Sequence, residues 1–137
     1  MSERKKVALI ELNPYHGECL YSQLRYLKSD AYDVTLFCNK SHEATISSFD
    51  IVADRSIFWD MKSFGNLLKI RRYLIDNRVE TVILNTIQGG RVLKFTLLPF
   101  PSWMKFVGTL HNIKKLNGSF GQKLICRKIQ RIYLLAE

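Results

Sequence analysis

Four short apolar runs constrain this chain more than any other feature. Residues 6–12, 33–38, 81–85 and 105–110 are each dominated by Val, Leu, Ile, Phe and similar side chains. They do not alternate strictly with polar residues. Runs of that length and pattern suit strands buried on both faces of a parallel sheet. The segments between them have a different period. Leu20, Leu24 and Leu27 share one helical face in 18–28. Phe64, Leu67, Leu68, Ile70, Leu74 and Ile75 do the same in a helix that Ser63 caps and that runs to about residue 77. Strand and helix therefore alternate, which predicts a doubly wound, Rossmann-like α/β sheet with helices on both faces and right-handed crossovers.

The intervening segments are less decisive. Residues 39–49 are polar and read as a loop. Residues 50–53 read equally as a short third strand or as irregular chain. Residues 91–98 suit a short helix, which Pro99 and Pro101 stop. Residues 121–136 have helical spacing, with Leu124, Ile125, Ile129, Ile132 and Leu135 inward and Lys123, Arg127, Lys128 and Arg131 outward. That helix reaches the last residues with no strand after it. The expectation is one Rossmann-like domain over 1–137 whose sheet lacks its last strand or strands. Such a fragment would expose apolar surface and associate with itself.

Charge and cysteine content narrow the setting. The net charge is +9, and from Lys105 onward seven bases face one acid, Glu137. A basic surface attracts phosphate in any form. The basic segment reads either as a plain solvated face or as a patch on anionic lipid. Nucleic acid is not expected, because the segment lacks interleaved aromatics and no reader motif is present. Cys19, Cys38 and Cys126 are odd in number and form no CxxC pair. They read as reduced thiols of a cytoplasmic protein. The apolar stretch at 7–12 contains Glu11 and stops at Asn13-Pro14, too short for a signal peptide.

Ligands of open parallel sheets bind beyond the carboxyl ends of the strands. Asn13, Tyr15, His16 and Gly17 follow the first strand there. Asn85, Gln88, Gly89 and Gly90 follow the strand at 81–85, and His111 and Asn112 follow the strand at 105–110. Glycine-rich dinucleotide and P-loop signatures are missing, as is a nucleophile elbow. The histidines, at 16, 42 and 111, have no metal-ligand spacing. Gly17 reads equally as a turn glycine or as room for a phosphate on a helix N-terminus. Gly89-Gly90 reads first as turn chemistry. His111, at the end of an apolar strand, reads as a strand-end histidine bonded to backbone or as a group that donates to a ligand or exchanges protons near neutral pH.

Several stretches together resemble the N-terminal domain of GT-B glycosyltransferases, especially the retaining class that includes many bacterial polysaccharide enzymes. Lys5-Lys6-Val7-Ala8-Leu9-Ile10 is similar to that family's first strand, and Pro14-Tyr15-His16-Gly17 to its glycine-containing loop. Residues 27–37 resemble its helix end and second strand. Val107-Gly108-Thr109-Leu110-His111-Asn112 resembles a strand ending in histidine, and Leu134-Leu135-Ala136-Glu137 the run into a further strand.

The resemblance implies two Rossmann-like domains facing across a cleft. The N-terminal one holds a glycan or lipid-linked acceptor, and the C-terminal one holds the nucleotide sugar. No metal or other cofactor is implied. Gly17 would approach the donor phosphates, and His111 would stand near the transferred sugar as the catalytic residue. His16, Gly17, Asn85, Gln88 and Asn112 would contact substrate. On the lipid reading of the basic segment, Lys123, Arg127, Lys128 and Arg131 would meet an anionic membrane on its inner face. Two departures stand out: the family loop often has paired glycines, and the donor-binding domain is absent. The chain alone is therefore expected to be inactive, needing a second domain or chain. The alternative is a non-catalytic Rossmann-like module that docks on a partner.

Overall fold

Parallel pairing along the first apolar run builds the centre of the molecule. The computed structural model describes residues 4–15, 17–27, 31–110, 125, 127, 129 and 131–134. β1 (Lys5–Glu11) pairs on one side with β2 (Tyr32–Asn39), in a register running from Lys5 opposite Tyr32 to Glu11 opposite Cys38. On its other side it pairs with β4 (Thr81–Leu84). β3 (Arg55–Trp59) lies beyond β2, β5 (Lys105–Leu110) beyond β4, and β6 (Arg131–Leu134) beyond β5. The six strands are all parallel in the order β3-β2-β1-β4-β5-β6. That is the Rossmann order.

Alternation along each strand divides the core between two faces. Val7 and Leu9 of β1, with Val34, Leu36 and Cys38 of β2, pack against Leu20, Leu24 and Leu27 of α1 (Leu20–Leu27). Ile46 of the short α2 (Glu43–Ser47) joins them. On the opposite face, Ala8 and Ile10 of β1, Phe37 and Phe106 pack against Leu67, Ile70 and Leu74 of α3 (Phe64–Asp76). Val92 and Phe95 of α4 (Gly90–Thr96) complete that side. Helices therefore cover both faces, which is why the strands read as continuous apolar runs. Ser63 caps α3 by accepting from the Asn66 N–H.

Three expectations need correction. Residues 39–49 are not a loop: a 3-10 turn (Lys40–His42) leads into α2. The third strand is not at 50–53 but at Arg55–Trp59, where Arg55 reaches back to Asp33 and Thr35 of β2. Residues 121–136 do not form one helix. Residues 125 and 127 are helical, but Arg131–Leu134 is β6. A strand does follow that helix, and β6 covers the edge of β5, so the expected exposed edge there loses its basis. Among the described residues no helix is long and apolar enough to cross a membrane.

Candidate functional site

The strand order fixes where a ligand can sit. The chain leaves β1 towards β2 and β3, then crosses to the other side of β1 to make β4. Loops after β1 and β4 therefore diverge to opposite faces, and doubly wound sheets bind ligands in a crevice between two such loops at the carboxyl edge. Asn13 to Tyr15 and Asn85 to Gly89 line this place.

Glu11 stands at its floor. It is the last residue of β1, shares the α1 face with Val7 and Leu9, and is 0% exposed. Three donors converge on its carboxyl group. The Asn85 carboxamide gives Nδ2–H to Oε1 at 2.8 Å, the Thr86 hydroxyl gives its hydrogen to the same oxygen at 2.6 Å, and the Asn13 N–H reaches Oε2 at 3.1 Å. Burial pushes the carboxyl pKa up, and the three donors only partly oppose it, leaving it at about 7. Glu11 therefore changes charge near neutral pH.

The network extends sideways. Gln23 of α1 donates to Asn85 Oδ1 at 3.2 Å and to the Thr109 hydroxyl of β5 at 2.9 Å. One side chain thus ties α1 to the ends of β4 and β5. Asn13 donates through Nδ2 to the Gln88 carbonyl at 3.0 Å, joining the two loops that flank the crevice.

The loop after β1 is held from below by His42. Its buried Nε2 lies 2.7 Å from the Asn13 carbonyl, which can only accept, so the proton sits on Nε2. Gly17 is buried against the same ring: a Cβ there would collide with His42 Nδ1. The space that a phosphate would use beside Gly17 is filled on that side by imidazole. Arg91 of α4 donates through Nη1 to the Leu12 carbonyl at 2.9 Å and to Asn39 Oδ1 at 3.4 Å, fixing the strand end from the other face.

Gly89 forms the opposite wall. Its φ of +100° is a conformation that residues with a side chain rarely adopt. A Cβ added there would stand 3.2 Å from Asn13 Oδ1 and 3.6 Å from the Tyr15 hydroxyl. Tyr15 is 44% exposed at the mouth. Burial and the Glu11 charge raise its pKa while Arg91 opposes them, so it is a neutral hydroxyl donor at physiological pH.

The residues expected from sequence are distributed unevenly. Asn85 and Gln88 come together through Asn13 and Glu11. Asn85 is 0% exposed and spends its carboxamide on Glu11 and Gln23, so it organises the floor rather than facing solvent. Gln88 is half-buried at the rim beside exposed Gly89. Arg127 is exposed, and Arg131 belongs to β6 rather than to the face of a basic helix. His16, His111, Asn112, Lys123 and Lys128 lie outside the described residues. Glu11, Gln23 and His42 were not expected. For Glu11 a signal was present: it is the one acid inside the apolar run of β1, at a position that a doubly covered strand buries.

Among the described residues no three His, Cys, Asp or Glu side chains are grouped to hold a metal ion. No protein-family model matches the chain, and no curated protein matches its sequence significantly.

Proposed function

We propose that this chain is the acceptor-side Rossmann-like domain of a GT-B glycosyltransferase, working in polysaccharide or glycoconjugate synthesis on the cytoplasmic side of a membrane. The observation that carries the reading is the convergence of Asn13, Tyr15 and Gln88 at the switch point, on a floor made rigid by Glu11, Asn85 and Gln23. The strand order supports it as well.

In this reading the Tyr15 hydroxyl and the Gln88 carboxamide meet acceptor hydroxyl groups at the mouth. His111 follows Leu110, the last residue of β5, in the sequence. Its role is to stand beside the transferred sugar, with Asn112 and His16 completing the contacts. Lys123, Arg127, Lys128 and Arg131 supply attraction to an anionic membrane, with Arg127 exposed as that requires. A nucleotide sugar is bound by a second domain or chain.

The test is a sugar-transfer assay with the purified chain, alone and with a donor-binding Rossmann-like domain supplied in trans. Transfer is expected only in the combination, and His111→Ala should abolish it. Transfer by this chain alone from any nucleotide sugar contradicts the proposal. Glycan binding with no transfer in any combination assigns the chain instead to a non-catalytic binding module.

A further inference from the structure

Phosphate groups bind at the switch point of many doubly wound sheets because the turn after β1 offers unused N–H groups there. Here three donors at that edge, one of them such an N–H, are engaged internally. Asn13 N–H, Asn85 Nδ2–H and Thr86 Oγ1–H all point at Glu11. Arg91 Nη1 is turned to the Leu12 and Asn39 oxygens. Gly17, whose lack of a side chain would admit a phosphate, is packed against His42. The chain thus carries its own anion at the floor of the crevice.

We infer that Glu11 is a specificity-determining residue: by occupying these donors with an internal carboxylate, it makes the crevice discriminate against phosphate groups and favour uncharged, hydroxyl-bearing ligands. This rests on the proposed acceptor site and narrows its substrate class to a neutral sugar hydroxyl. A dianion brought to this edge meets the charge of the fully buried Glu11, whose three donors are already engaged by its own carboxyl group. When Glu11 is neutral, the repulsion is gone. In Glu11→Gln the new Nε2 cannot accept from Asn13 N–H, so a backbone donor is also released.

Other ionisable groups face the same place. They are Tyr15 of the loop, Glu18 and Cys19 of the turn before α1, Cys38 of β2, His42 of the turn before α2, and Arg91 of α4. A variant that cannot titrate at position 11 therefore assigns the pH dependence to Glu11.

The experiment is a titration of the isotope-labelled chain with inorganic sulfate, a dianion that does not itself titrate near neutral pH, read at the Asn13 and Gly89 amides. The wild type should bind weakly at pH 8 and about tenfold more tightly at pH 6. Glu11→Gln should bind tightly and equally at both, whereas Glu18→Gln should behave as the wild type. Equal sulfate binding by the wild type at the two pH values overturns the inference, and this arm stands even if Glu11→Gln does not fold. A folded Glu11→Gln that keeps the wild-type pH dependence assigns it to another group and also overturns the inference. Sulfate binding is read without any glycan, so failure here leaves the acceptor reading standing, and failure of that reading leaves this result intact.

Discussion

Asn85, just after β4, donates a 2.8 Å hydrogen bond to Glu11, the last residue of β1, across a sequence separation of 74 residues. Both side chains are fully buried. This bond joins the two strands between which the sheet reverses its order, and it sets the floor on which the exposed loops rest.

The pH dependence of stability should report on Glu11. The folded chain holds this proton to about pH 7, whereas the unfolded chain releases it near the ordinary value of 4.5. Between these values the folded state binds more protons, so stability falls as pH rises through the window. The loss should amount to about 3 kcal/mol. Urea unfolding from about pH 5 to about pH 8 should show it. Glu11→Gln should flatten the slope. An unchanged slope in the variant would place the proton elsewhere.

Gly17→Ala should destabilise the fold by about 1–3 kcal/mol, because the added methyl meets the His42 ring. His42→Ala also loses the bond to Asn13. The double variant should be less destabilised than the sum of the singles by about 1 kcal/mol or more, since the cavity accepts the methyl. Strict additivity, measured by thermal or urea unfolding, would show that the two do not touch.

Gly108→Ala on β5 should cost a similar amount, about 1–3 kcal/mol. A methyl there would collide with Ile87 Cγ2 and crowd Ile129 Cδ1. Ile87→Ala should recover part of the loss. Should Ile87→Ala deepen the destabilisation in the Gly108→Ala background as much as in the wild type, the contact is not the cause.

Gly89→Ala should cost about 1–3 kcal/mol from its positive φ. It should also displace Asn13 and Tyr15. Ligand binding at the mouth should weaken more than it does in Gly90→Ala, where an added methyl meets nothing. Equal effects of the two substitutions would separate Gly89 from the site.

Much of this architecture is written in local pattern, and the exceptions have physical causes. β1, β2, β4 and β5 are buried on both faces and show it as apolar runs. β3 is an edge strand that begins Arg55-Ser56, and its charge is satisfied by Asp33 across the strand pair, a long-range partner that leaves no local pattern. α2 is five residues long and buries Ile46 alone, leaving no period to detect. β6 is short, and Ile132, Leu135 and their neighbours satisfy a helical period as well as a strand run. Asn85 and Gln88 could be placed at the carboxyl edge from topology, but not their exposure. Asn85 became floor because a partner from β1 reaches it, and such long-range pairing leaves no local trace.

The central claim is that the Tyr15–Gln88 mouth binds a glycan acceptor. The most direct measurement is binding of the labelled chain to an array of bacterial glycans, repeated with a Tyr15→Ala/Gln88→Ala double variant that leaves the Glu11 network in place. The wild type should bind a set of neutral glycans, and the double variant should lose roughly tenfold or more in affinity, as expected when hydrogen bonds at a binding site are removed. Binding that survives unchanged in the folded double variant, or no glycan binding by the wild type, would contradict the claim.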